Sequence, residues 1–117
     1  MIRLDTATRN LQIVLAGAVT TNQSNIVVSY ADQTGTSYTG AQQAANSNNT
    51  TAVDICASPP AGMVRTVDAI NVYNADTVPT TVTVRYNDNG TIYPIIQAAL
   101  KTLGSLSYAH GSGWRTN

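Results

Sequence analysis

A chain of 117 residues suffices for one domain with a single modest core, in which folding removes about two thirds of the surface from water. Hydrophobic residues make up 43% of it but charged residues only 10%, far below the roughly one quarter of an ordinary soluble domain, so Thr, Asn, Ser and Gln must supply an uncharged polar surface. Six basic and six acidic residues cancel without forming a basic cluster, which argues against nucleic-acid binding, and the longest apolar run, 13–19, is broken by Gly17 and too short for a membrane helix.

In chain order, the first segment has its own character. Leu11, Ile13 and Leu15 alternate with polar neighbours as a strand would, while 6–10 and 18–23 are polar spacers. This pattern predicts an extended N-terminal arm over 1–23, with the sandwich domain over 24–117. Alternating apolar residues cannot rest exposed, so such an arm packs on its own domain or on a neighbouring subunit. Asp5, Arg9 and Asn10 interrupt the apolar block that a secretory signal requires, and Met1 reads as the native start.

Residues 24–30 read as a strand. From 32 to 51 the composition turns to Thr, Ser, Gly, Gln and Asn, which predicts an exposed loop carrying at most a short strand at 37–39. Val53, Ile55 and Ala57 alternate in a strand that stops at Pro59-Pro60, where paired prolines forbid continuation. A long strand follows over 64–74, with Ile70 and Val72 sharing one face.

The clearest signal is 80–86, where Val82, Val84 and Tyr86 alternate with Thr81, Thr83 and Arg85. It runs into Asn87-Asp88-Asn89-Gly90, whose Asn and Gly accept the positive φ of a tight hairpin, and then into a strand over 91–98 with Ile92 and Ile96 on one face. Pro94 has no N–H to give a ladder, so this strand belongs at an edge or carries a bulge. A last short pair, 106–108 with Gly113-Trp114, closes on a turn at 109–112. Seven or eight strands result, with no window that sustains a helical stripe: an all-β fold of antiparallel strands.

Chemistry is sparse. His110 is the only imidazole and Cys56 the only thiol, so neither an internal disulfide nor a structural zinc site can form, and no serine stands in a nucleophile turn. Residues 87–90 superficially match a calcium loop, but the chain contains no Glu to close one, and the hairpin reading prevails. We therefore expect no catalytic residues, no metal and no cofactor. Trp114, with Tyr108, is the best candidate for an exposed aromatic platform.

Several segments resemble small virion proteins of tailed bacteriophages. They are Met1-Ile2-Arg3-Leu4-Asp5, the run from Leu11 to Gln23, Ile70-Asn71-Val72-Tyr73-Asn74-Ala75-Asp76, Arg85-Tyr86-Asn87-Asp88-Asn89-Gly90-Thr91 and Tyr108-Ala109-His110-Gly111-Ser112-Gly113-Trp114. The resemblance implies a capsid decoration, or cement, protein: a jelly-roll-like β-sandwich that forms a homotrimer on the outer surface of the phage head and clamps the major capsid protein. Subunit or capsid contacts would then fall on Ile2, Arg3, Leu4, Leu11, Ile13, Leu15 and Trp114. Related domains occur in tail and fibre proteins, so the alternative is a module that binds host-surface carbohydrate through Trp114 and Tyr108.

Overall fold

Val, Ile and Thr suit a pleated, half-buried surface, and the chain uses them in ten antiparallel strands with no helix among the described residues, 2–117, of a computed structural model. The strands are β1 (Ile2–Leu4), β2 (Arg9–Leu15), β3 (Asn25–Thr34), β4 (Ser37–Asn46), β5 (Val53–Cys56), β6 (Val64–Tyr73), β7 (Thr80–Asp88), β8 (Thr91–Leu100), β9 (Ser105–Ala109) and β10 (Gly113–Thr116). One sheet runs β10-β9-β6-β3-β4, with β1 also on β6, and the other runs β5-β2-β7-β8. Both sheets turn apolar faces to one core. Ile26, Val28, Ile70, Val72 and Leu106 come from the first, and Leu11, Ile13, Leu15, Ile55, Val82 and Val84 from the second, all at most 2% exposed.

The segment read as an arm is divided between the two sheets. β1 pairs with β6 through Ile2↔Val67 and Leu4↔Arg65, while β2 lies inside the second sheet, between β5 and β7. The reason is the apolar period: Leu11, Ile13 and Leu15 fit the core between Val82, Val84 and Ile55. The polar residues 5–8 form the turn that carries the chain from one sheet to the other, with Arg9 N–H donating to Thr6 O at 3.3 Å.

The 32–51 segment also differs from expectation. It completes a ten-residue hairpin, in continuous register from Asn25↔Asn46 to Thr34↔Ser37, with Gly35 at φ +50° in the first position of its two-residue turn. Thus β4 owes its conformation to that turn and to β3, not to its own Gly, Gln and Ala.

The β7–β8 hairpin closes on Asn89 (φ +51°) and Gly90 (φ +97°), both in the left-handed region, as a two-residue turn between twisted strands requires. Pro94 does lie in an edge strand, and the β8 register also slips there: Val84 pairs with Ile96 but Arg85 with Pro94, leaving Ile95 unpaired. That bulge separates Ile92 from Ile96, because Ile96 stays opposite Val84 on the core face while Ile92 falls opposite Asn87 on the other face. A second bulge leaves Asp68 unpaired in β6, and it turns both Val67 and Ile70 inward despite their odd spacing.

Because β2 lies within the second sheet, removing residues 1–16 would strip four core side chains, Leu4, Leu11, Ile13 and Leu15, and separate β5 from β7. We expect that truncation to be unfolded by circular dichroism, and Ile13→Ala to lose about 2–5 kcal/mol in denaturant titration.

Candidate functional site

Of the contact residues expected from the sequence, Leu4, Leu11, Ile13 and Leu15 are at most 2% exposed and already fill the protein's own core. Ile2 is half-buried against it, and Arg3 alone is open to solvent. Trp114 is half-buried, its ring 4.9 Å from that of Tyr108, which is itself buried, so both aromatics pack onto the core. The seven residues do not form one exposed surface.

The polar residues inside the molecule hold its loops. Asp76 is 1% exposed and accepts backbone N–H groups from Thr20 and Thr21 at 2.8 Å, Asn22 at 3.1 Å and Thr77 at 2.8 Å. These bonds, Thr20's foremost, favour the ionised form and lower the carboxyl from 3.8 to about 2. Asn74, fully buried, donates to Val78 O and Lys101 O at 3.0 Å and accepts from Asp76 N–H. On the other side of the 16–24 loop, Gln23 accepts from Ser47 Oγ and Asn49 N, and Asn49 Oδ1 accepts from Val19 N and from the Gln23 amide. The Asn74-Ala75-Asp76 and Gln23 signatures are therefore scaffold, recruited to loops whose backbone has no ladder.

Charges are similarly absorbed. Arg65, 7% exposed, donates to both oxygens of Asp32 at 2.8 and 3.0 Å and to Ala57 O at 2.7 Å, with its guanidinium 4.0 Å over the Tyr30 ring. Arg9 bridges Asp5 and Asp88, and Gln12 relays between Asp54 and Arg85. Cys56 is fully buried; burial pushes its thiol up to about 11, and the ionisable groups that act on it are Arg65 and Asp32, not His110. His110 stands in the exposed β9–β10 turn, where its backbone N–H donates to Asp68 O at 2.8 Å. Among the described residues, no three His, Cys, Asp or Glu side chains gather as metal ligands.

Two shallow hollows mark the outer face of the first sheet. One, about 240 Å³, is lined by Ser107, Ala109, Ser112, Gly113 and Arg115; the other, about 440 Å³, by Ser29, Tyr30, Gly40, Ala41, Gln42 and Asp68. Ser29 and Asp68 share the second hollow, where the hydrogen-bond partner of the Ser29 hydroxyl is the Gln42 amide at 3.5 Å.

Of the exposed large apolar side chains three lie together in sequence on β8, Ile92 (36%), Tyr93 (54%) and Ile95 (37%), beside Pro94, while Tyr38 (66%) stands on β4 and Val27 (43%) on β3. Tyr93 pairs with Tyr86 across the hairpin, ring centroids 6.4 Å apart. Periodicity alone hid this arrangement, because the bulge at Ile95 moves Ile92 and Pro94 off the core face, where a regular strand would have kept them beside Ile96, and sets Tyr93 opposite Tyr86. A smaller exposed pair, Val78 and Leu103, flanks the loops gathered by Asn74. Leu103 takes φ +60° because the adjoining glycine is needed elsewhere: a Cβ on Gly104 would meet Asn117 O at 2.8 Å and Lys101 O at 3.0 Å.

No family model matches this sequence, and neither a curated protein nor a solved structure gives a match.

Asp76 yields a pH prediction with a definite sign. Its carboxyl is lower in the folded chain than unfolded, so its contribution is complete above about pH 4 and fades as pH falls through about 2. Thermal melts should show Asp76→Asn several degrees less stable than the parent at pH 7, with the difference shrinking toward pH 2.

Proposed function

We propose that this is a non-enzymatic virion structural protein, a capsid decoration protein that sits as a homotrimer on the outer surface of a tailed-phage head and braces contacts between major capsid subunits. The observation that carries the reading is the run of exposed apolar side chains, Ile92, Tyr93 and Ile95, along the β8 edge of a sparsely charged two-sheet scaffold. A protein that works by turnover needs convergent reactive groups, whereas here the buried polar groups hold loops and Arg9, Asp5, Asp88, Arg65 and Asp32 hold one another. A protein that works by staying attached needs apolar side chains held in place by a stiff frame, and β8 provides them. The resemblance in the turn and strand motifs supports the virion assignment.

Relocating the contacts from the amino-terminal segment to β8 follows from the core. Leu11, Ile13 and Leu15 cannot serve a neighbour without unfolding their own sheet. The reading needs a two-sheet scaffold and does not depend on jelly-roll wiring or on a free arm. The alternative, a tail or fibre module that stacks carbohydrate on Trp114, is less well supported, because that ring already lies against Tyr108.

The test is add-back of purified protein to phage heads and to tails. We expect saturable occupancy on heads only. Ile92→Asp with Ile95→Asp should weaken it by at least about tenfold, since burying each such side chain is worth roughly 1.5–3 kcal/mol. Binding to tails alone, or undiminished occupancy by the variant, contradicts the reading.

A further inference from the structure

A sheet edge left unprotected is an invitation to another strand, and natural sheets blunt their edges by shortness, proline, bulges or charge. Three strands at the free edges here are blunted in that way. β10 and β5 have four residues each, and β5 includes Asp54; β8 has Pro94 and the bulge at Ile95. β1, three residues long, adds only a short edge that includes Arg3.

β4 has none of these devices. It is ten residues long, Ser37–Asn46, unbulged against β3, without proline and without a charged residue, and most of it is exposed. Its two-residue hairpin makes Thr34↔Ser37 the closing hydrogen-bonded pair, so odd-numbered residues face β3 and the backbone N–H and C=O of Tyr38, Gly40, Gln42, Ala44 and Asn46 point to the open side. No strand among the described residues lies there.

We propose that β4 pairs with β4 of a second copy of this chain, antiparallel about a two-fold axis at Gln42, joining the two first sheets into one. Only a strand can match a row of alternating donors and acceptors, and the other edges of a neighbouring copy are blunted, which leaves β4 as the partner. A two-fold contact sets the central residue against itself and would set any charge there against its like; β4 has no charge to repel. In this register Gln42 meets Gln42, whose amide both donates and accepts, Gly40 meets Ala44, and Tyr38 meets Asn46. The five outward residues of each copy would complete about ten backbone hydrogen bonds. The contact goes beyond the capsid reading and is independent of it: β4 borders the first sheet above β5, whereas β8 is the far edge of the second, so the β8 patch stays free.

The test is sedimentation of the free full-length protein at high micromolar concentration. The parent should sediment as a two-fold assembly, and Gln42→Lys with Ala44→Lys should reduce it to the next smaller species with circular dichroism unchanged. A second variant keeps the proposal falsifiable should that one misfold. Gln42→Cys should oxidise to a covalent dimer, the buried Cys56 being out of reach, whereas Gln97→Cys on β8 should not. A parent that is monomeric throughout, or a trimer that the β4 lysines leave intact, overturns the proposal. So does an oligomer that survives the β4 lysines and dissociates with Ile92→Asp and Ile95→Asp, an outcome that leaves the capsid reading standing. Failure of head binding with the β4 dimer intact removes the capsid reading alone.

Discussion

Strand β6 has one partner, β3, along one edge and needs three separate pieces of chain along the other. β1 covers Arg65 to Val67, the backbone N–H of His110 takes the carbonyl of Asp68, and β9 covers Ala69 to Tyr73. The first strand and the last but one thereby meet on β6, on either side of the bulge at Asp68. Because β1 is fixed there, β2 must cross to the second sheet, and because β9 is fixed there, β10 can add the last edge. The hydrophobic core follows from that arrangement. Ile70 and Val72 point inward on one side of the bulge and Val67 on the other, so β6 lines the core along most of its length.

How much of this was legible depends on whether the signal was local. The β7–β8 hairpin could be read because its alternation and its Asn-Gly turn are adjacent in sequence. The same holds for the turn after Tyr108. By contrast only the start of β4, at 37–39, is legible, since Gly40, Gln42, Gln43 and Ala44 have no strand preference and the conformation is imposed by β3. The two bulges differ in their effect. The one at Asp68 leaves the long strand over 64–73 readable, whereas the one at Ile95 makes Ile92 and Ile96 look like companions on one face. The alternation of Leu11, Ile13 and Leu15 correctly marked a strand, but period alone cannot say whether the apolar face meets its own domain or another.

Polar residues that looked like surface decoration are the joints of the loops. Asp76, Asn74, Gln23 and Asn49 replace ladder bonds along 16–24 and 74–78, where neither sheet reaches. Gln43 does similar work between the sheets, accepting from Ala57 N at 2.9 Å and donating to Asp54 O at 3.4 Å, so that β4 is tied to the short edge strand beneath it. These bonds join the loops and the two sheets into one frame. On the proposals above, its sheet edges are where it meets other molecules.

The central claim is that the amino-terminal segment belongs to the cooperative core and that contacts with other molecules are made by the edges. Residue-resolved native-state hydrogen exchange tests it most directly. The account predicts that the β2 amides paired into β5 and β7 exchange only by global unfolding, with the same free energy as the amides of β6 and β7. Exchange of β2 at a much lower free energy, while β6 and β7 stay protected, would show a detachable arm and contradict it.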